Sequence, residues 1–234
     1  MSQTIFNKTD RVYILSPHID DAIWSLGSLI LELVSRGIEV NVITIFSTSS
    51  YANGELLKPT VATKIRKAED SRALKLAGVN QSIYLDYDEA VVRGVSLNRI
   101  VDKLHVPSVE MVNSIREDIS RIVQSNLVLL VPGGFGYNID HLVVRQAAEG
   151  VKIDRVYYYE ELPYAARDVR VASALNFLRS IGYTRIKSPV DQNLINEHTK
   201  LYNVYKSQIK PTHIEQIEKY LLKDGFGIWI RNEK

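Results

Sequence analysis

The sequence predicts an α/β fold, a mostly parallel and doubly wound sheet with helices on both faces, and three observations predict it. Short β-branched runs alternate with amphipathic stretches as far as Glu160. The first alternation, residues 12–46, is a complete strand–helix–strand unit, which implies parallel strands and a covering helix. The run Leu127–Val131 (LVLLV) is continuously apolar, as a strand covered on both faces must be.

Each element follows from local chemistry. Val12–Leu15 (VYIL) is β-branched and aromatic, and it should stop at Ser16-Pro17 because proline cannot donate to a ladder. Ala22–Ser35 carries apolar side chains at helical spacing and ends before Gly37; Ile38–Phe46 then reads as a second strand. Val61–Ala77 is a charged amphipathic helix closed by Gly78, and Ser82–Leu85 is a short strand. Asp86–Pro107 is irregular, Ser108–Gln124 helical, and Pro132-Gly133-Gly134 breaks the LVLLV strand. His141–Glu149 is helical and Val156–Tyr159 is a strand. Beyond Glu160 the alternation loosens: a helix near Val171–Arg179, a strand near Arg185–Ser188, helices at Gln192–Lys206 and His213–Lys223, and Gly227–Arg231 as a last, edge strand. With 234 residues and neither linker nor repeat, a single domain over 1–234 is expected, its last part (161–234) an extension packed on the core.

Composition narrows the chemistry. The 29 Lys and Arg against 27 Asp and Glu give +2, so no strong field advertises a nucleic-acid partner. No apolar run reaches a membrane span's length, and the N-terminal segment lacks a signal-peptide layout, so a cytoplasmic protein is expected. With no cysteine, a metal must be held by His, Asp or Glu, and there are five histidines: His18, His105, His141, His198 and His213. The last two and His105 have no companion at ligand spacing and read as structural or surface residues.

In open α/β sheets ligands bind beyond the carboxyl ends of strands, where the strand order reverses. Two strand ends carry unusual residues: Ser16-Pro17-His18-Ile19-Asp20-Asp21 and Pro132 through His141. If the strands are neighbours, His18, Asp20, Asp21 and His141 converge. His18, Asp21 and His141 then form a two-histidine, one-carboxylate set suited to Zn²⁺, with Fe²⁺, Co²⁺ or another divalent ion as alternatives. Asp20 could take a proton from a metal-bound water. A plainer reading stands beside this one, in which Asp20 and Asp21 cap the following helix and the histidines are hydrogen-bonded loop residues.

Ser16-Pro17-His18-Ile19-Asp20-Asp21-Ala22 resembles the PHPDDE loop of the PIG-L/LmbE-like zinc-dependent N-deacetylases, and Asn138-Ile139-Asp140-His141 resembles their second motif, HPDH. Arg66 and Glu69 resemble an R-x-x-E helix of that family, Tyr158–Tyr164 a YEDLPY segment, and Lys200–Gln208 a helix of one branch, so the resemblance runs through residues 11–231. It implies a Rossmann-like fold, with His18, Asp21 and His141 as zinc ligands and Asp20 as general base. Asp140 would support the neighbouring histidine. The implied reaction removes an acetyl group from an N-acetylglucosamine-type sugar or a glycosylated small molecule. Asn138 departs from the pattern: it can donate to an oxyanion but cannot deliver a proton. Ala22 stands where a Glu commonly closes the first motif.

Four further residues are candidates for substrate binding. The resemblance points to Arg66, which could otherwise pair with Glu69, and to Asp88, which could otherwise be a turn residue. Arg93 could face substrate or solvent, and Tyr137 could line the site or sit half-buried with a wet hydroxyl. The irregular stretches 47–60 and 86–107 are long enough to be functional loops. Two other functions fit some of these residues: Mg²⁺-dependent phosphoryl transfer, from the paired acids after the first strand, and a non-catalytic sugar-binding relative, from Asn138.

Overall fold

The computed structural model describes residues 5–7, 10–102, 106–123, 126–167 and 171–231; His105 and the end of the helix expected to reach Gln124 lie outside them. Its main sheet has seven strands. β1 (Arg11–His18), β2 (Glu39–Phe46) and β5 (Gln81–Tyr84) pair in parallel in the order β5-β2-β1. β6 (Leu127–Pro132) lies on the other side of β1, followed by β7 (Arg155–Tyr159), both parallel. The chain thus builds outward from β1 in one direction, then crosses over and builds in the other. The crevice between the carboxyl ends of β1 and β6 is the topological switch point, so the expected mostly parallel, Rossmann-like sheet is present.

Helix α1 (Asp21–Ser35) covers the centre of the sheet and is buried on nearly every side, which its run of Ile, Trp and Leu requires. α2 (Pro59–Leu76) follows β2, α3 (Val109–Ile122) precedes β6, and α4 (Ile139–Ala148) joins β6 to β7. Ser108 caps α3 by accepting from the Met111 amide, and Asn138 caps α4 by accepting from the Asp140 amide. After β7 come α5 (Ala172–Ser180), β8 (Tyr183–Ser188), α6 (Gln192–Tyr202), α7 (Pro211–Asp224) and β9 (Phe226–Arg231).

Four expectations need correction. β1 does not stop at Ser16 but continues through Pro17 to His18: its pairing with β6 ends at Ile14 opposite Leu130, so beyond that point one side of β1 is an edge, where a missing N–H breaks no ladder. The last strand is not an edge strand: β9 inserts antiparallel between β7 and β8, and β8 is the edge. Residues 47–60 are not wholly irregular. They hold a small hairpin of β3 (Tyr51–Ala52) and β4 (Glu55–Leu56), turned at Asn53-Gly54 with both residues at positive φ. Finally, α6 ends at Tyr202 rather than Lys206. The following turns are held to α2 by side chains: the Tyr205 hydroxyl donates to Asp70 at 2.6 Å, and the Ser207 amide and hydroxyl donate to Glu69 at 2.9 and 2.6 Å.

α6 meets α1 through His198, fully buried. Its Nε2 donates to the Ile23 carbonyl at 2.5 Å and its Nδ1 lies 2.8 Å from Ser28 Oγ. Gly27 permits this approach, since a Cβ there would stand 2.1 Å from the imidazole. No helix among the described residues is long and apolar enough to cross a membrane.

Burial lowers the His198 pKa from 6.5 to about 4. A depressed imidazole contributes stability that is fully present above 6.5 and is lost as pH falls through about 4, a contribution on the order of 3 kcal/mol. The melting temperature should therefore fall more steeply over that interval in the wild type than in His198→Gln; equal slopes would show that the neutral imidazole is not what acid attacks.

Candidate metal centre

At the end of β1 the chain turns sharply. Ser16 Oγ donates to the His18 carbonyl at 2.7 Å and accepts the Ala22 amide at 3.0 Å, which ties the loop to the first turn of α1. Asp20 sits at φ 145°, a conformation that costs a non-glycine residue about 1–3 kcal/mol. Its side chain makes no capping bond to α1. Asp21 is equally untypical of a capping acid: its carboxylate turns back and accepts the His18 amide at 2.9 Å.

Three atoms from the two strand ends come together. Asp21 Oδ2 lies 3.1 Å from His18 Nδ1 and 3.1 Å from His141 Nε2, and the two ring nitrogens are 3.2 Å apart. Metal–ligand bonds of ~2.0–2.2 Å would put such atoms ~3.0 Å apart in an octahedral face and ~3.4 Å in a tetrahedral one. The observed triangle falls between these values. The donor set, two imidazoles and one carboxylate, suits a borderline divalent cation such as zinc.

The far side of each imidazole is held by a carboxylate. His18 Nε2 lies 2.9 Å from Asp140 Oδ2, and His141 Nδ1 lies 3.1 Å from Glu161 Oε1. Asp140 therefore supports His18 across the crevice and not its sequence neighbour His141. It also accepts the Ala90 amide at 2.9 Å and Arg93 Nη2 at 2.6 Å. Glu161, which sequence reasoning missed, accepts the backbone amides of Gly133, Gly134 and Phe135 at 2.8–3.3 Å. The glycine-rich break after β6 is thus a cradle for a carboxylate, which in turn orients His141. The adjacent acids Glu160 and Glu161 just past a strand end were the available signal.

Asp20, His18, Asp21 and Asn138 line a cavity of about 450 Å³, within the range of small-molecule sites. Arg66 lies in its wall but does not pair with Glu69. It donates to the Ile19 carbonyl at 3.1 Å, Ser49 Oγ at 2.7 Å, Glu89 Oε2 at 3.1 Å and Asp20 Oδ2 at 3.3 Å. Asp88 is exposed in a bridge to Thr48, and the acid that reaches the cavity is its neighbour Glu89. Arg93 is not among the lining residues; it holds Asp140 and lies over the Phe46 ring. Tyr137 points elsewhere, into a groove with Leu142 and Arg145, and Tyr164 takes the place by the site. The Tyr164 ring stands edge-on to His141, and its hydroxyl accepts from Asn138 Nδ2 at 3.4 Å.

The electrostatics follow from burial and these contacts. Burial disfavours the charged form of His18, but hydrogen bonds and charge from Asp140 and Asp21 outweigh it and raise the pKa to about 10. His141 is raised to about 10 in the same way, burial being overcome by Asp21 and Glu161. Asp21 is driven well below the usual range, because His141 and His18 overcome the opposing effect of burial. Asp20 goes the other way: burial, with Asp21 nearby, lifts it to about 7 despite Arg66.

A mostly parallel sheet with two histidines and one carboxylate gathered at its switch point defines an α/β protein whose strand ends offer a candidate metal site. The chain belongs to the PIG-L family: that family's sequence pattern, described as GlcNAc-PI de-N-acetylase, matches residues 13–152. No curated protein matches the sequence at a comparable level. Among solved structures, the zinc-inhibited form of a teicoplanin deacetylase is 20% identical with a TM-score of 0.70, covering 96% of this chain and 99% of that one. The antimicrobial reagent A40926 pseudoaglycone deacetylase is 20% identical with a TM-score of 0.66, covering 96% and 97%. The N,N'-diacetylchitobiose deacetylase of Pyrococcus horikoshii is 18% identical with a TM-score of 0.58, covering 93% and 81%.

Both imidazoles must lose a proton before they can coordinate a cation, so binding should release about two protons near neutral pH and tighten as pH rises. Calorimetry in buffers of differing ionisation enthalpy measures this directly. Glu161→Gln should weaken Zn²⁺ binding about 10- to 100-fold in chelator competition, whereas an unchanged affinity would remove Glu161 from the metal centre.

Proposed function

We propose that this chain is a metal-dependent hydrolase that removes an acetyl (acyl) group from the amide nitrogen of an N-acetyl amino sugar or a glycosylated small molecule. One observation carries the reading: the His18–Asp21–His141 triangle opens, beside Asp20, onto a cavity of small-molecule size. Family membership and the deacetylases of similar fold support the reaction class.

In this reading His18, Asp21 and His141 hold the cation, zinc first and iron or cobalt as other occupants. When bound there, the cation would supply Lewis acidity and make the attacking water more acidic. Asp20 accepts the proton of the attacking water. Its pKa of about 7 suits that role, because a base works best near the operating pH. Arg66 fixes the direction of its carboxylate through the contact to Oδ2. The Asn138 amide and the Tyr164 hydroxyl, both on the cavity wall, donate to the charge that develops on the carbonyl oxygen. Asn138 cannot protonate the leaving amine, so the proton taken up by Asp20 is the one returned to it. Asp140, Glu161 and Arg93 act through the histidines and are positioning residues. The substrate is a small molecule and not a nucleic acid. The imidazole pair speaks against Mg²⁺-based phosphoryl transfer, since that ion prefers oxygen ligands.

Acetate release from N-acetylglucosamine conjugates, measured with and without Zn²⁺, tests the reading. Asp20→Asn should lower kcat about 10²- to 10⁴-fold while bound metal stays constant by elemental analysis. Undiminished turnover in that variant would reject Asp20 as the base, and absence of acetate release from every conjugate would reject the reaction.

A further inference from the structure

His141 and Arg145 lie four residues apart on α4, so one turn of helix sets both side chains along the same face. From that face His141 reaches Glu161, and Arg145 reaches the glycine-rich turn that holds Glu161. Arg145 Nη1 donates to the Gly133 carbonyl at 3.0 Å. Gly133 is buried just past the end of β6, and a buried carbonyl needs a donor. The Gly133 carbonyl and the Gly134 N–H belong to one planar peptide unit, so fixing the first fixes the direction of the second. That N–H makes the shortest bond to the brace, 2.8 Å to Glu161 Oε1. Gly134, at φ 83°, also permits the approach, since a Cβ there would stand 2.7 Å from Arg145 Nη1.

The guanidinium is itself held in place. It lies over the Phe177 ring of α5, 4.0 Å from the centroid, and its Nε stands 3.8 Å from Glu149 Oε1 one turn further along α4. Stacking of a planar cation on a ring suits arginine and not lysine. Burial lowers the Arg145 pKa while the charges of Glu149 and Glu161 oppose that shift, so the guanidinium senses the carboxylate of the brace. Arg145 is not one of the described residues that line the metal cavity; it lies in the groove behind the turn, with Tyr137 and Leu142. The contacts therefore run in series. Phe177 holds Arg145, Arg145 holds the turn by its carbonyl, the amides of the turn hold Glu161, and Glu161 holds His141 Nδ1.

We propose that Arg145 is a positioning residue of the metal centre, acting on His141 through the Gly133–Gly134 peptide and Glu161, with the Phe177 ring of α5 as its support. For the cation the assignment rests on the reading of His18, Asp21 and His141 as its ligands. The orientation of the turn and of the imidazole belongs to the metal-free chain.

A double-mutant cycle with Glu161 tests the series. Arg145→Met should weaken Zn²⁺ binding about tenfold in chelator competition, the low end for groups that orient a ligand. In the Glu161→Gln background the same change should cause no further loss, because the link it acts through is already broken. An equal loss in both backgrounds overturns the proposal, and so does an unchanged affinity in the single variant. Arg145→Lys keeps the charge and most of the stem but not the planar fork; it should show a smaller loss with the same non-additivity, and it carries the cycle if the Met variant does not fold. A second readout needs no metal. In the metal-free protein the Gly134 amide and His141 Nδ1–H proton signals should both move upfield in Arg145→Met, and exchange of the Gly134 amide with water should quicken about tenfold. The Trp229 indole signal, from a group bonded to Glu160 at 3.0 Å, should stay in place. Unmoved Gly134 and His141 signals, or a shift of all three, overturn the proposal. If the wild type binds no Zn²⁺ and releases no acetate, the metal and deacetylase readings fall, and the Gly134 and His141 signals still decide whether Arg145 orients His141.

Discussion

Everything around the crevice answers to the cost of burying negative charge. Asp20, Asp21, Asp70, Glu89, Asp140 and Glu161 are each at least nine-tenths buried. An unpaired charge in such surroundings costs several kcal/mol, so each acid must be matched or protonated. Arg66 spans Asp20 and Glu89, Arg93 takes Asp140, and two tyrosine hydroxyls, of Tyr84 and Tyr205, serve Asp70. Asp21 and Glu161 are held by backbone amides and draw their positive charge from the two imidazoles. Protonated, the pair contributes two positive charges. A divalent cation held by the same atoms in place of both protons would contribute the same two, and the charge balance of the interior would be kept.

The fold makes this balance possible by bringing distant segments to one strand end. β1 and β6 deliver His18 and Asp140–His141 because they are neighbours at the switch point. The part of the chain after β7 then completes what the βαβ core leaves open. Glu161 braces His141, Tyr164 stands against its ring, and Lys210 and His213 form part of the cavity wall. The contacts of Tyr205 and Ser207 with Asp70 and Glu69 hold this region to α2, the helix that carries Arg66. The residue that orients Asp20 and the residues that shape the mouth are therefore joined through one helix.

The alternation of strands and helices was readable in the sequence because burial on one or both faces imposes a period, and β1, β2 and β6 show it. The clustering of His18, Asp21 and His141 was readable because His18 and Asp21 are close in sequence and both strand ends had to face the same crevice. What escaped was decided by geometry across the sheet. Asp140 supports His18, 122 positions away, and its neighbour in the chain is served by Glu161; no local spacing contains that exchange. Asp88 and Glu89 differ by one residue, which is enough to turn one side chain to solvent and the other to Arg66. Tyr137 and Tyr164 exchanged roles because Tyr137, at φ 59°, sends its ring out of the cavity. The insertion of β9 between β7 and β8 was hidden because its apolar run suits an edge as well as an interior.

Asn138 shows how local structure can decide what a substituted residue is able to do. As N-cap of α4 it must accept the Asp140 amide, and this commits its Oδ1 at 3.0 Å. The same bond fixes the amide's orientation, so Nδ2 is turned to Tyr164 and the cavity. A histidine here could either donate or hand over a proton; an asparagine locked by its cap can only donate. Oxyanion stabilisation is therefore available at this position and acid catalysis is not. Asp20, lifted to about 7, is a cavity-wall group that can take a proton in one step and release it in the next. Its strained backbone and its contact with Arg66 hold it where both steps would occur.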